Sequence, residues 1–180
     1  MKKILLIAFL CFLTGCEKDD QPEKDPGNFQ TPLPVATTTG ANIFACYVDG
    51  KAYIAYAKDI VAYNQFFGTY GISIEGHWDS SDYISQIRLL SRTTEEVQEG
   101  MTYELGKVSA TDYYAAAVFF ENFSQFGDFV PTDEIHKGEL KITKHDVFER
   151  ILSGTFWFDI KRPDGKVIEI REGRFDVRYN

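Results

Sequence analysis

The C-terminal third of the chain alternates apolar and polar residues with a period of two. One side of this pattern holds Gly154, Phe156, Phe158 and Ile160, and the other side holds Thr155, Trp157 and Asp159. Successive side chains of a β-strand point to opposite faces of a sheet, so the pattern predicts a strand with one buried face. Pro163-Asp164-Gly165 then predicts a turn, after which the alternation resumes and runs to Tyr179. Because tight turns join antiparallel strands, the end of the chain predicts an antiparallel sheet.

Candidate strands recur about every 8 to 12 residues along the rest of the chain, with no convincing long helix between them. The first pair, residues 42–48 and 52–57, is joined by Asp49-Gly50, a dipeptide typical of two-residue hairpins. We therefore predict one all-β domain over residues 41–180, a single antiparallel β-sandwich or partly closed barrel of about eight to ten strands. A lipocalin-like barrel is the alternative. Within the domain, residues 78–82 are predicted to form a loop.

The first fifteen residues have the layout of a secretory signal peptide. Lys2 and Lys3 precede an apolar run from Ile4 to Leu13, and small residues follow. An apolar run of this length is too short to remain in a bilayer as a spanning helix. Residues 1–15 are therefore predicted to be a signal peptide that is removed on export.

The segment Leu13-Thr14-Gly15-Cys16 resembles a bacterial lipobox. The resemblance implies that the Cys16 thiol receives a diacylglycerol and that its amine receives a third acyl chain after cleavage. Each buried methylene contributes about 0.8 kcal/mol, so several chains on one residue attach a protein to a membrane almost permanently. We expect Cys16 to be a lipidation site; a free thiol behind an ordinary signal peptide is the alternative.

Residues 16–40 are rich in charge and proline, and they contain little that could bury apolar area against the entropy of ordering. We predict a lipidated, acidic, disordered linker here. Its first residues, Glu17-Lys18-Asp19-Asp20, resemble the signal that sends Bacteroidota lipoproteins to the outer face of the outer membrane. The resemblance implies a domain that faces the cell exterior, and a plain solvated linker on the periplasmic face is the alternative.

The charge and the cysteine count exclude some classes of function and structure. A formal net charge of -8 is a poor match for phosphate backbones, so we expect no nucleic-acid partner. The chain has three cysteines, of which Cys11 is expected to leave with the signal peptide and Cys16 is expected to be acylated. Only Cys46 then remains in the domain, where its apolar neighbours predict a buried side chain and no intramolecular disulfide.

Sequence motifs for catalysis are absent. None of the three histidines, at 77, 136 and 145, has a second ligand at the spacing of a recognised metal site. Residues 71–76, Gly-Ile-Ser-Ile-Glu-Gly, approach a nucleophile elbow, but the second glycine comes one place late. Groups of neighbouring carboxylates are expected by chance in so acidic a chain, so they do not by themselves indicate a catalytic site. We therefore predict no catalytic residue, no metal, no cofactor and no enzymatic activity.

Aromatic residues make up 15% of the chain and cluster in predicted loops. Exposed aromatic faces can stack on sugar rings or line a site for another small ligand. We select Trp78, flanked by His77 and Asp79, together with Phe66 and Phe126, as candidate ligand-binding residues. Packing of the same side chains in the core is the alternative.

Three C-terminal segments form a recognisable closing pattern: 138–146, then 152–158 with Ser-Gly-Thr-Phe-x-Phe, then 170–177 with Glu-Gly-Arg-Phe-Asp-Val. With the lipobox and the hairpin at residues 48–51, they resemble small Bacteroidota outer-membrane lipoproteins of unknown function. The resemblance implies the fold and the membrane location but no activity. We expect a lipid-anchored, surface-exposed, non-enzymatic lipoprotein that binds a glycan or another small ligand. An accessory or structural partner of an outer-membrane protein assembly is the alternative.

Overall fold

The computed structural model describes residues 31–55, 61–66, 68–80, 83–109, 114–121 and 129–179, with side chains except at 61–66, 78–80, 83–84, 121 and 129. Eleven strands lie in these ranges: β1 (Ile43–Val48), β2 (Lys51–Ile54), β3 (Val61–Phe66), β4 (Thr69–Ser80), β5 (Tyr83–Thr93), β6 (Thr102–Leu105), β7 (Tyr114–Glu121), β8 (Phe129–Pro131), β9 (Gly138–Asp146), β10 (Ile151–Lys161) and β11 (Val167–Arg178). The described residues include no helix long and apolar enough to cross a membrane.

The strands form two antiparallel sheets. A six-stranded sheet has the order β2-β1-β11-β10-β9-β6, and a five-stranded sheet has the order β3-β4-β5-β7-β8. The prediction of an all-β antiparallel sandwich is confirmed, with eleven strands instead of eight to ten. The described strands pair into two separate sheets and not into one ring, so the barrel and its lipocalin-like variant do not describe the fold.

The core lies between the two sheets and follows the predicted alternation. Phe156, Phe158 and Ile160 of β10 are buried against the five-stranded sheet, while Thr155 and Trp157 point outward. The ring of Phe44 in β1 lies 5.2 Å from the ring of Phe156, centroid to centroid. Asp49 and Gly50 both adopt positive φ in the β1–β2 hairpin, as the dipeptide predicts.

One local prediction differs from the structure. Strand β4 continues through Ser80, so residues 78–80 are extended and do not belong to a loop. Pairing with β5 over its whole length explains the extension, since residues 70–80 each face a β5 partner. Residues 114–121 form strand β7 with β5 on one side and β8 on the other.

An N-terminal strap, residues 31–41, lies on the outer face of the six-stranded sheet. Its end is held by Asp176 of β11, which accepts hydrogen bonds from Thr37 Oγ1 at 2.6 Å and from the backbone N–H groups of Thr39, Gly40 and Ala41. Ser153 Oγ of β10 donates a further bond at 2.7 Å. Asp176 is 1% exposed, because the strap covers it. The strap therefore leads the chain into β1 along the back of the sheet.

Candidate functional site

A β-bulge interrupts β11 at the centre of the outer face of the six-stranded sheet. The register of β11 shifts by one residue against both neighbours, between Ala45 and Tyr47 on β1 and between Phe156 and Phe158 on β10. Both shifts place the extra residue at Glu172, whose φ of 51° lies in the left-handed region. Such a conformation is uncommon for a residue with a side chain, and bulges of this kind re-aim side chains next to binding and active sites.

The local sequence explains why the bulge forms at this place. Gly173 follows Glu172, and a Cβ at position 173 would overlap the ring of Phe156 on the neighbouring strand. The close approach of backbone and ring requires glycine. Gly173 thus leaves room for the Phe156 ring on the core side of β11, and Phe156 is also one of the residues that line a cleft beside the bulge.

Trp157 lies opposite the bulge and presents its ring to solvent. The residue is 43% exposed, although most large apolar side chains of β10 are buried. The guanidinium of Arg171 lies over the indole ring, 5.7 Å from the ring centroid, and Arg171 Nη1 is also held by Asp159 Oδ1 at 2.6 Å. A cation–π contact on one face restricts the ring. Trp157 is therefore a held, flat, apolar platform.

A cleft of about 380 Å³ opens beside this platform, between the bulge and the strap. Glu139 of β9, directly paired with Trp157, forms one side. Glu172 and Arg174 from the bulge and Ala36 from the strap form the other. The Arg174 guanidinium donates to the backbone oxygen of Glu172 at 3.0 Å. The volume lies at the lower end of the range for small-molecule sites, and a cleft with one aromatic platform and a few polar groups is typical of them.

The comparison with known proteins gives a family for this fold and cleft. A family described as a domain of unknown function, DUF6252, matches residues 44–177. The chain belongs to the DUF6252 family. No curated protein and no solved structure matches it. The matched range of the DUF6252 domain begins in β1 and ends in β11, so it includes both sheets and every cleft residue except Ala36.

The outer face of the five-stranded sheet of the DUF6252 domain holds a second polar cluster. Glu75 of β4 is 8% exposed and pairs with Arg88 Nε of β5. Gln86 Nε2 donates to Glu75 Oε2 at 2.6 Å and lies 2.7 Å from His77 Nε2. A buried carboxylate needs a partner of this kind, because removing it from water without one is very costly. Arg88 balances the charge of Glu75, and residues 71–76, which approach a nucleophile elbow in sequence, lie within strand β4.

The predicted ligand-binding and lipidation residues fall outside the described side chains. Phe126 and Cys16 lie outside the described residues altogether, whereas Phe66 and Trp78 are described by their backbone alone. Phe66 pairs with Thr69 at the start of β4, and Trp78 lies nine residues further along that strand. Nine residues of strand span about 30 Å, so the backbone does not bring these two positions together.

The remaining candidates are held by local contacts. His136 Nδ1 lies 3.0 Å from Asp133 Oδ2, and His145 lies between the Val97 carbonyl oxygen at 2.7 Å and the Tyr179 hydroxyl at 3.0 Å. Among the described residues, no group of His, Cys, Asp and Glu is arranged to hold a metal ion. Cys46 is fully buried, as predicted, and its burial raises the pKa of the thiol.

Sequence reasoning did not select Trp157, although the signal was present. The alternation of β10 places this tryptophan on the polar side of the strand, where a large apolar side chain is exposed unless something covers it. A tryptophan on a predicted solvent face is a stronger indication of a binding site than aromatic residues gathered in predicted loops.

Proposed function

We propose that this DUF6252 protein is a lipid-anchored, surface-exposed, non-enzymatic lipoprotein that binds a neutral saccharide in the Trp157 cleft. The observation that carries the proposal is the exposed indole ring, held by Arg171 opposite a bulge whose Glu172 has a positive φ. Backbone strain of this kind persists where the surrounding structure enforces it, and it concentrates at functional sites.

The chemistry of the cleft favours a sugar over other small ligands. A pyranose ring with equatorial hydroxyl groups has a flat face of C–H bonds that can stack on an indole ring. Glu139 and Glu172 can accept hydrogen bonds from the hydroxyl groups at the rim, and Arg174 can donate them. Because the cleft contains two carboxylates and the chain is acidic overall, uronic acids and sulfated sugars should bind poorly.

The anchor places this binding site at a membrane surface in our proposal. The lipobox-like segment ending at Cys16 supports acylation, and the acidic residues after it support export to the outer face of the outer membrane. A tethered module without catalytic residues would hold a glycan near the cell for other proteins to use.

The binding half of the proposal is tested by calorimetric titration of the full-length chain, purified from membranes in detergent, with cellobiose. Cellobiose is a neutral disaccharide whose hydroxyl groups are equatorial. Trp157→Ala should abolish the heat of binding, and the matched variant Trp78→Ala should leave it unchanged. Loss of binding in Trp78→Ala but not in Trp157→Ala would indicate that the saccharide binds on the five-stranded sheet instead. Absence of heat with cellobiose, glucose and xylobiose would overturn the proposal.

The anchoring half is tested by mass spectrometry and by proteolysis of intact cells. The mature chain should begin at Cys16 and carry acyl mass on that residue. Protease added outside intact cells should digest the domain, whereas an internal periplasmic protein remains whole until lysis. A chain that begins at Met1 excludes the anchor, and protection in intact cells excludes the outward orientation.

One observation favours the second function, an accessory role in an outer-membrane protein assembly. Phe148, at the tip of the β9–β10 hairpin, is 99% exposed, and its neighbour Val147 is 54% exposed. Asp146 Oδ1 accepts hydrogen bonds from Phe148 N and Glu149 N, so the tip has a defined shape. Exposed aromatic side chains on rigid supports are common anchors of interfaces.

The accessory role is tested by crosslinking in cells through a photoreactive residue at position 148. If the role exists, the crosslink should capture one outer-membrane protein. If the hairpin tip contacts only solvent, no specific product should form.

A further inference from the structure

The N-terminal strap has a firmly held half and a weakly held half. Residues 37–41 are fixed by the hydrogen bonds that converge on buried Asp176. In the described part of the chain, residues 31–36 are held by two longer bonds, from Tyr47 Oη to Thr31 O at 3.4 Å and from Arg174 Nη1 to Pro34 O at 3.2 Å. Val35 is 79% exposed. Segments with few buried contacts and solvated hydrogen bonds open at low free-energy cost. No residue of 31–36 is fully buried, although Leu33 and Pro34 are half-buried, so this half of the strap is held more weakly than residues 37–41.

The weakly held half is also part of the cleft. Ala36 lines the cleft on the strap side. Arg174, which lines the same cleft, donates through Nη1 to Pro34 O and through Nε and Nη2 to Glu172 O. A single guanidinium thus joins the strap to the bulge. Release of residues 31–36 would remove the Ala36 wall and leave the Arg174 side chain tied to the bulge alone.

We infer that residues 31–36 are a movable wall of the Trp157 cleft, and that a saccharide in the cleft and the docked strap stabilise each other. The ligand part of this inference rests on the proposed function, whereas the movable wall does not. A ligand that touches the docked wall binds the closed state more tightly than the open state, and so it shifts the population toward closure. The coupling is reciprocal, because docking of the strap must raise ligand affinity by the same factor.

The test uses Pro34→Gly in the full-length chain in detergent. This change keeps the carbonyl oxygen that Arg174 binds but gives the open segment more backbone freedom. The equilibrium constant for docking of residues 31–36 on the sheet should therefore fall about two- to fivefold. Val35→Ala is the matched control, since that side chain points to solvent. Both variants carry Trp78→Phe, which leaves Trp157 as the single tryptophan of the chain. Pro34→Gly should increase acrylamide quenching of Trp157 fluorescence and speed hydrogen exchange of residues 31–36, and Val35→Ala should change neither.

Cellobiose then tests the coupling. It should slow hydrogen exchange at the amides of residues 33, 35 and 36, and its dissociation constant should rise about two- to fivefold in Pro34→Gly. If Pro34→Gly leaves quenching and exchange unchanged, the movable wall is wrong whether or not cellobiose binds. If cellobiose gives no heat although quenching rises, the proposed ligand is wrong and the movable wall stands. If cellobiose binds the Pro34→Gly chain and the same chain with Pro34 intact equally tightly, the coupling is wrong and the proposed function stands.

Discussion

The ring of Phe44 in β1 lies directly against the backbone of Gly76 in β4. The two residues belong to different sheets, and a Cβ at position 76 would overlap three atoms of the Phe44 ring. Phe44 is 2% exposed and also contacts the ring of Phe156, so it has no free space into which it could move. The absence of a side chain at position 76 therefore sets how closely the two sheets approach at this point.

We expect Gly76→Ala to lower the free energy of unfolding by about 1 to 3 kcal/mol, because one methyl group must be fitted into a closely packed core. Gly106→Ala is the control, since the nearest atom to an added Cβ there is 3.9 Å away. Urea unfolding followed by tryptophan fluorescence measures both variants. Equal stability of the two variants would show that the sheets can separate at position 76 without cost.

Replacement of Asp176 by asparagine should release the strap and destabilise the domain. Asp176 accepts hydrogen bonds from Thr37, Thr39, Gly40, Ala41 and Ser153, and an amide presents donors where the strap also presents donors. Bonds to a charged acceptor contribute about 1.5 to 3 kcal/mol each, so a loss of at least about 2 kcal/mol in unfolding free energy is expected. Glu96→Gln, on the exposed β5–β6 connection, should change stability by less than about 0.5 kcal/mol.

The same carboxylate predicts how stability depends on pH. Burial raises the pKa of Asp176, but the hydrogen bonds from Ala41, Thr37, Ser153 and Thr39 outweigh burial and lower the pKa to about 2. An unfolded aspartate has a pKa of about 3.9, so the folded state binds its proton less readily. The stabilisation is therefore complete above about pH 4 and is lost as the pH falls toward 2. Unfolding free energies measured across this interval should fall more steeply for the wild type than for Asp176→Asn, and parallel curves would contradict the assignment.

The variant Glu172→Gly should be more stable than the wild type but should bind the saccharide more weakly. A residue with a side chain is less favourable than glycine in the left-handed region by about 1 kcal/mol, so Glu172→Gly should raise the melting temperature by a few degrees. The same change removes a carboxylate from the rim of the cleft and should weaken cellobiose binding. Glu169→Gly is the control within β11, where glycine should destabilise the strand. A variant with lower stability and unchanged affinity would show that the bulge is not a strained binding element.

Thiol titration tests the burial of Cys46 and the proposed lipidation of Cys16 together. Burial raises the pKa of the Cys46 thiol, and the thiolate is the reactive form, so the folded mature chain should not react with Ellman's reagent. One thiol should appear after unfolding in guanidinium chloride. A rapidly reacting thiol in the folded chain would indicate that Cys16 carries no thioether-linked lipid.

Periodicity in the sequence was sufficient to predict the fold class and most of the core. The alternation along β10 predicts that Phe156, Phe158 and Ile160 are buried and that Trp157 points outward. The Asp49-Gly50 dipeptide likewise predicts the first hairpin from local sequence alone. Patterns of this kind are readable because a strand assigns alternate side chains to opposite faces wherever it lies.

The cleft and the strap depend on the tertiary structure. The bulge at Glu172 is defined by the register of β11 against both β1 and β10, and the low pKa of Asp176 depends on donors that lie 135 or more residues earlier in the strap. Trp157 and Glu139 become neighbours through the pairing of β9 with β10. Local sequence determines which face of a strand is buried, but only the packing of distant segments determines which exposed side chains meet, because that choice depends on strand order and register.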